Sequence, residues 1–151
     1  MSTQSALSQD RPAVDAALLV VRVAAGIVFT AHGAQKLFGA FGGPGLAGIV
    51  DMMGPMGYPV TIGEFFGGLG LIGGFLSRFS AASLTVIMIG AIAMVHGKHG
   101  FFLDKNGFEY NLALIGLLLP TVIAGPGRYA LGPFLPLPKS KTTRRPIVVL
   151  E

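Results

Sequence analysis

The chain has 151 residues, of which 52% are hydrophobic and only 12% charged, and its mean hydropathy is +0.68. Because soluble domains carry about 25% charged residues, this composition argues against an ordinary water-soluble globule. The 23 glycines follow no collagen-like period, and abundant glycine is typical of membrane helices, whose backbones approach closely at small residues.

Cysteine content and the distribution of charge exclude several kinds of site and partner. The sequence contains no cysteine, which excludes disulfides, cysteine-ligated iron–sulfur clusters, thiolate zinc sites and thiol nucleophiles. Any redox activity must therefore use a borrowed cofactor. Much of the net charge of +4 comes from a basic tail, with Lys139, Lys141, Arg144 and Arg145 close together. Because no basic stripe occurs elsewhere, nucleic acid is not an expected partner.

Four apolar segments follow a polar N-terminal segment, 1–15, that lacks the pattern of a signal peptide. They cover residues 16–38, 59–76, 79–95 and 110–124. Each is close to the roughly 20 residues that cross a bilayer core. A soluble four-helix bundle would give every helix a wet face, whereas the third segment is uncharged and apolar all round. The sequence therefore predicts an all-α integral membrane four-helix bundle within residues 16–132.

Basic residues outside the spans indicate the orientation. One side holds Arg11, Arg78, Arg128 and the basic tail 133–151, whereas the other holds only Lys98 and Lys105. This predicts a membrane protein with both termini cytoplasmic and with loops 39–58 and 97–108 outside. The first outer loop has glycine and proline at both ends of an apolar stretch. It predicts a short interfacial helix, which is either a connector or a lid.

Ionisable residues within the spans are costly, about 2.5 to 3.5 kcal/mol at a span centre. In the predicted topology, all four spans bring polar groups to one outer level: His32, Lys36, Glu64, His96, Glu109, Tyr110 and Asn111. Arg22 lies about 15 Å from His32 along the axis of the first span, nearer the cytoplasm. It falls within the same arc of the helix as His32 and Lys36. A buried guanidinium needs an acceptor, and the sequence leaves the partner of Arg22 open.

Two interpretations of this outer cluster remain open. In the first, Lys36 pairs with Glu64 and Glu109, and the pairs only fix the register of the helices. In the second, the cluster lines a polar pocket that takes a small anion or a quinone carbonyl oxygen, with His and Glu moving protons. The predicted catalytic residues are then Glu64, Glu109 and His32. The predicted cofactor-binding residues are Arg22, His32, Lys36, His96 and Asn111.

The histidines and carboxylates of this region do not form a pattern typical of a haem or zinc site. Haem ligation by His32 and His96 is unfavourable because cationic side chains lie close to each and no CxxCH motif occurs. Zinc could use His32, His96, His99, Glu64 and Glu109, but their spacing is not diagnostic, so no metal site is predicted. A separate stripe on the second span, Gly63, Gly67, Gly70 and Gly74, predicts close helix packing.

Several of these segments together resemble a known family. They are Arg22–Gly26, His32–Gly39, Gly63 with Glu64, Arg78, Ala93–His96, Gly100–Phe102, Gly107–Leu112 and Gly125–Arg128. Over about residues 16–132 the chain resembles the DoxX/DoxD-like family of small bacterial membrane proteins. The resemblance implies a four-helix bundle associated with membrane oxidoreductases, since the founding members are subunits of a thiosulfate:quinone oxidoreductase.

The expected function is therefore an integral membrane subunit of a quinone-linked redox complex. The lipid bilayer and a membrane or peripheral redox protein would be its partners, and a homo-oligomer is a further option. Quinone is the expected cofactor. One alternative is a non-catalytic assembly subunit that anchors a larger membrane complex through its apolar surface. Another is a small-solute carrier, which four short spans would form only as a dimer.

Overall fold

The computed structural model describes residues 11–132. The first ten residues of the predicted polar segment and the predicted basic tail, 133–151, lie outside the described residues. Within 11–132 the chain is helical and contains no strand. The five α-helices are α1 (Arg11–Phe38), α2 (Gly45–Met53), α3 (Gly57–Gly73), α4 (Ser77–Ala91) and α5 (Glu109–Ala124).

The four longer helices form a ring in which α1 packs on α3, α3 on α4, α4 on α5 and α5 on α1. Neighbours in the chain run antiparallel. Lys36, near the end of α1, contacts Glu64 in the first half of α3, and Arg78 at the start of α4 contacts Ile123 at the end of α5. We call the two ends of the bundle the Lys36 end and the Arg78 end. The helix α2 lies in the connection between α1 and α3.

The outer surface of the bundle is apolar, as a bilayer requires. Two helical stretches, Pro12–Phe38 and Ser77–His99, are long and apolar enough to cross a membrane. Large side chains such as Val20, Phe66 and Val86 are exposed, whereas the core contains Ala25, Phe29, Leu71, Ala81, Leu84, Met88, Leu114 and Leu118. The prediction of an all-α membrane bundle is confirmed. The number of spans and the direction of insertion stay predictions.

The first helix begins five residues earlier than the predicted span. Residues 11–15 belong to α1 instead of a separate polar segment. Pro12 lies in the first turn, where the missing N–H has no intrahelical partner to lose. The carboxylate of Asp15 accepts the backbone N–H of Arg128 at 3.0 Å. The hydropathy pattern does not predict residues 11–15 as part of the span, because a polar first turn can be helical without lying in the hydrocarbon core of the membrane.

Glycines allow two close helix contacts. The predicted packing of the stripe on α3 is confirmed for Gly63, Gly67 and Gly70, which face Ile87, Leu84 and Ser80 of α4. A second contact, between α1 and α3, was not predicted. A Cβ atom on Gly68 would lie 2.5 Å from the backbone nitrogen of Thr30, and one on Gly33 would overlap the backbone of Phe65. The backbones of α1 and α3 therefore touch only because these positions carry no side chain.

Arg22 holds the chain that follows α5. Its side chain is 2% exposed, and Nη2 donates to the carbonyl oxygen of Tyr129 at 2.5 Å. Nε and Nη1 have no partner among residues 11–132. The backbone N–H of Leu131 donates to the carbonyl oxygen of Gly73 at 2.9 Å. The segment 125–132 therefore folds back along α1 and covers the Arg78 end of the bundle.

Substitution of Gly68 tests the close approach of α1 and α3. Gly68→Ala is expected to lower the free energy of unfolding by about 1 to 3 kcal/mol, because the added methyl group overpacks the contact. Gly116→Ala is the matched control, since a Cβ atom there meets nothing within 4 Å. It is expected to leave stability unchanged or to raise it, as alanine favours helix. Unfolding in detergent measures both, and equal effects would contradict the assigned packing.

Arg22→Met tests the attachment of the 125–132 segment. Methionine fills a similar space but cannot donate, so the bond to Tyr129 is lost. Hydrogen bonds from charged groups contribute about 1.5 to 3 kcal/mol. We therefore expect amide hydrogen exchange at Arg128 and Leu131 to accelerate about tenfold or more, with exchange in the core of α4 unchanged. Unaltered exchange at both amides would show that Arg22 does not hold the segment.

Candidate functional site

A buried ion pair lies at the centre of the candidate site. The ammonium group of Lys36 contacts both carboxylate oxygens of Glu64, at 2.6 and 2.7 Å. The side chain of Glu64 is only 3% exposed, whereas that of Lys36 is 25% exposed. A buried carboxylate is costly unless it is paired, and Lys36 supplies that pairing. The ion pair also links the end of α1 to α3.

A cavity of about 210 Å³ adjoins this ion pair. We call it the first cavity. It opens at the Lys36 end, and its walls come from all four long helices and from the loop before α5. The lining residues are Phe29, His32, Lys36, Glu64, Met88, Ala91, His96, Leu103, Gly107, Tyr110, Asn111 and Leu114. A mostly apolar cavity with a few polar groups that converge on one place is typical of a small-molecule site.

His96 reaches the cavity because α4 changes its winding. The helix continues into one turn of π-helix, Ile92–His96, and such turns are frequent at functional sites. Nδ1 of His96 lies 2.8 Å from the carbonyl oxygen of Asn106. A carbonyl can only accept, so Nδ1 carries the hydrogen, and Nε2 of the neutral ring bears a lone pair. Asn106 has a left-handed backbone, with φ of 60°, which turns the loop towards His96.

The start of α5 supplies two further polar groups. Asn111 is buried, and its amide nitrogen lies 3.4 Å from the sulfur of Met88. Because a thioether is a weak acceptor, this donor is available to a better partner. The ring of Tyr110 packs against that of His32, with centroids 6.2 Å apart.

A second cavity, of about 400 Å³, lies on the other side of the ion pair. It is enclosed by α3, α4 and the connection after α2, and three of its lining residues are Met53, Met56 and Met94. Methionine side chains are flexible and adapt to irregular apolar ligands. Lys36, Glu64, Ala91 and His96 line both cavities. The predicted short helix in the first loop is present as α2, and Met53 at its end lies over the second cavity.

Five of the seven predicted site residues meet at the first cavity: His32, Lys36, Glu64, His96 and Asn111. Arg22 does not, and its expected place in the pocket is corrected. It lies fourteen residues before Lys36 on α1, about 21 Å along the axis, where Tyr129 is its acceptor.

Glu109 is also absent from the cavity lining. It occupies the first turn of α5, about 100° around the helix from Tyr110. A carboxylate there complements the helix dipole, so its expected role in the cavity is corrected. Met88 and Tyr110 line the cavity and were not among the predicted site residues. The polar sequence at 109–111 signals Tyr110, whereas nothing in the sequence distinguishes Met88 from a core residue.

No group of three His, Asp or Glu side chains within 11–132 could hold a metal ion. His32, which could have contributed to a zinc site, packs on Tyr110 instead. The donors and acceptors that do converge are an ammonium, a carboxylate, an imidazole, a phenol and an amide. This set is suited to hydrogen bonding of an oxygen-bearing organic group.

Comparisons with known proteins show which family the chain is similar to. The DoxX family model matches residues 17–97, a range that contains Lys36, Glu64 and His96. The "Inner membrane protein YqjF" of Escherichia coli is 30% identical over 123 residues, covering 78% of this chain and 90% of its own. The "Putative oxidoreductase CatD" of Bacillus subtilis is 31% identical over 117 residues, covering 78% and 85%.

A shorter match, 36% identical over 61 residues, links the chain to an uncharacterized protein of Haemophilus influenzae, with 40% of each chain covered. No solved structure matches. The family match covers more than half of the chain, and the two longer relatives extend it into α5. Together with the apolar helical bundle, these matches show that the chain is a membrane protein of the DoxX family.

Proposed function

We propose that this protein is the membrane subunit of a quinone-linked redox complex, and that it holds a quinone headgroup beside the Lys36–Glu64 ion pair. One observation carries the proposal: a buried carboxylate and its ammonium partner line two cavities, one that also contains His32, Tyr110 and Asn111 and a larger, more apolar one that contains three methionines. This matches the two halves of a membrane quinone, whose ring carries carbonyl oxygens and whose tail is a long apolar chain.

The residues present fit such a group. Two contacts to Glu64 engage Lys36, and its ammonium carries three N–H donors, so one donor remains for a carbonyl oxygen. The amide of Asn111 and the hydroxyl of Tyr110 line the same cavity. The second cavity, with its methionines, offers the tail an apolar path between α3 and α4. Both cavities contact Glu64, so a ligand that reaches either one lies beside the same carboxylate.

A bound quinone supplies reversible electron and proton transfer. The chain supplies groups that bind and move protons. Glu64 supplies a carboxylate that can exchange a proton with a bound ligand. The Nε2 lone pair of His96 is a second proton acceptor on the same cavity. The loop before α5 and the end of α2 limit access of water to these groups.

The location and partner follow the relatives. We infer a bacterial inner membrane protein, as the name of YqjF states for that relative. From the excess of basic residues near the Arg78 end we infer that this end, and both termini, lie in the cytoplasm. The first cavity then opens to the outer side. We infer a membrane or peripheral redox protein as the electron donor, since the relative CatD is named a putative oxidoreductase.

The proposal predicts that purified protein in nanodiscs binds a short-chain ubiquinone or menaquinone. Glu64→Gln is expected to weaken binding about tenfold, because Lys36 loses the charge that positions it and a hydrogen bond to a charged group contributes about 1.5 to 3 kcal/mol. Asp51→Asn is the matched control, since Asp51 is an exposed carboxylate on α2. Titration followed by tyrosine fluorescence measures both affinities.

A second variant tests quinone binding by a change that is not expected to destabilise the fold. Tyr110→Phe removes only a hydroxyl from a half-exposed side chain and is expected to weaken binding about threefold or more. If wild-type protein binds neither quinone, or if all three variants bind equally, the quinone site is wrong. If the variants then form the same complex with one large membrane partner as the wild type does, the result would support the assembly subunit. Such a subunit binds its partner through its outer apolar surface and not through the cavity.

A further inference from the structure

A groove runs along the outer side of α3 and α4 and meets the second cavity at Pro59, Val86 and Ile87. Its volume is about 620 Å³, and we call it the α3–α4 groove. Its walls include Ile62, Phe66, Phe79 and Ile87, and Gly63 and Gly67 are also among the lining residues. The residues repeat every three or four positions on each helix, so the groove follows the helix axes for about 12 Å. Its shape and composition suit a single hydrocarbon chain.

At the Arg78 end this groove joins a second space, whose wall includes a basic side chain. A cavity of about 510 Å³ shares Leu76 and Phe79 with the groove, and we call it the basic cavity. Ser77 and Arg78 line it, together with the backbone of glycines from the α3–α4 turn and from the 125–132 segment. The side chain of Arg78 is exposed, and within residues 11–132 it makes one hydrogen bond, from Nη2 to the carbonyl oxygen of Ile123 at 3.2 Å.

Several groups around the basic cavity favour the binding of an anion. It lies at the start of α4, which has no side-chain cap and no acidic residue in its first turn, so first-turn N–H groups remain free. Ser77 is 3% exposed, and its hydroxyl has no partner among residues 11–132. Gly74 lines the cavity, and the guanidinium of Arg22 lies directly behind it. The carboxylate of Asp15, which lies beside Gly127 of the cavity wall, accepts the backbone N–H of Arg128.

We propose that this surface binds one anionic phospholipid, with its phosphate at Arg78 and Ser77 and one acyl chain in the α3–α4 groove. A helix N-terminus with a basic side chain is a suitable place for phosphate, and the groove begins at that place. A second copy of this chain fits less well. The only acidic residue on α3 or α4 is the buried Glu64, so the same face of a second copy offers no carboxylate to Arg78.

The proposal uses other polar groups than the quinone site, although the groove shares Pro59, Val86 and Ile87 with the second cavity. It also agrees with the predicted orientation. The Arg78 end would lie in the cytoplasmic leaflet, where anionic lipids are concentrated. The test uses the full chain reconstituted in phosphatidylcholine vesicles that contain a minority of phosphatidylglycerol. Native mass spectrometry then measures which lipid remains bound after release from the vesicle. We expect wild-type protein to retain phosphatidylglycerol in preference to phosphatidylcholine.

Two variants separate the headgroup from the chain. Arg78→Gln is expected to reduce the preference for phosphatidylglycerol about fivefold, whereas Lys98→Gln, which removes the same charge from the other end, should leave it intact. Ser83→Phe fills the groove and should reduce retention of both lipids. Equal retention of the two lipids by wild type, or equal effects of Arg78→Gln and Lys98→Gln, would overturn the site. So would a retained dimer in place of lipid, or equal retention by Ser83→Phe and wild type.

A free anion is distinguished in the same experiment. If the basic cavity recognises phosphate alone, inorganic phosphate added to pure phosphatidylcholine vesicles should remain bound to the protein. It should then also displace phosphatidylglycerol from the mixed vesicles. Either result would contradict the proposal, which requires the acyl chain and the phosphate to be held together.

Discussion

The contact between Lys36 and Glu64 places two opposite charges in a region that is otherwise almost free of charge. An isolated carboxylate at this depth would have to lose its charge or unfold the helix contact around it. Pairing removes that penalty only while the two atoms stay close, so the ion pair fixes how far α1 can slide along α3. The glycines at positions 33 and 68 make this possible, because they let the two backbones approach until the side chains meet.

The position of the cavities follows from this contact. Glu64 forms part of the wall of both, so the same carboxylate is presented to the first cavity, where most of the polar groups converge, and to the more apolar second cavity. The π-helical turn that ends α4 adds His96 to both walls, and the carbonyl oxygen of Asn106 fixes its tautomer. The site therefore depends on one ion pair, one irregular turn and one loop, each supported by a separate part of the chain.

Much of the architecture could be predicted from the sequence, because hydrophobic segments of about 20 residues are constrained by the bilayer itself. Antiparallel connection of such segments also places His32, Lys36, Glu64, His96 and Asn111 at one level. Helix rotation could not be predicted, since a shift of one residue turns a side chain by about 100°. For this reason Glu109 was expected in the cavity and Tyr110 was not.

The role of Arg22 shows a second limit. Its acceptor, the carbonyl oxygen of Tyr129, lies 107 residues away in the chain and belongs to the backbone, which carries no sequence signature. Equally, the contact of Gly33 and Gly68 depends on which helices are neighbours, and a glycine count does not reveal that. The π-helical turn before Gly97 is invisible for the same reason, because its apolar sequence also suits an ordinary α-helix.

A double-mutant cycle on the ion pair tests the central claim most directly. Unfolding free energies in detergent would be compared for wild type, Lys36→Met, Glu64→Gln and the double variant. The account predicts that each single change costs about 3 kcal/mol or more, since it leaves the other group buried without its partner. The double variant should cost less than the sum, with a coupling of about 1 to 3 kcal/mol. Additive effects, within about 0.5 kcal/mol, would show that the two residues do not depend on each other and would contradict the account.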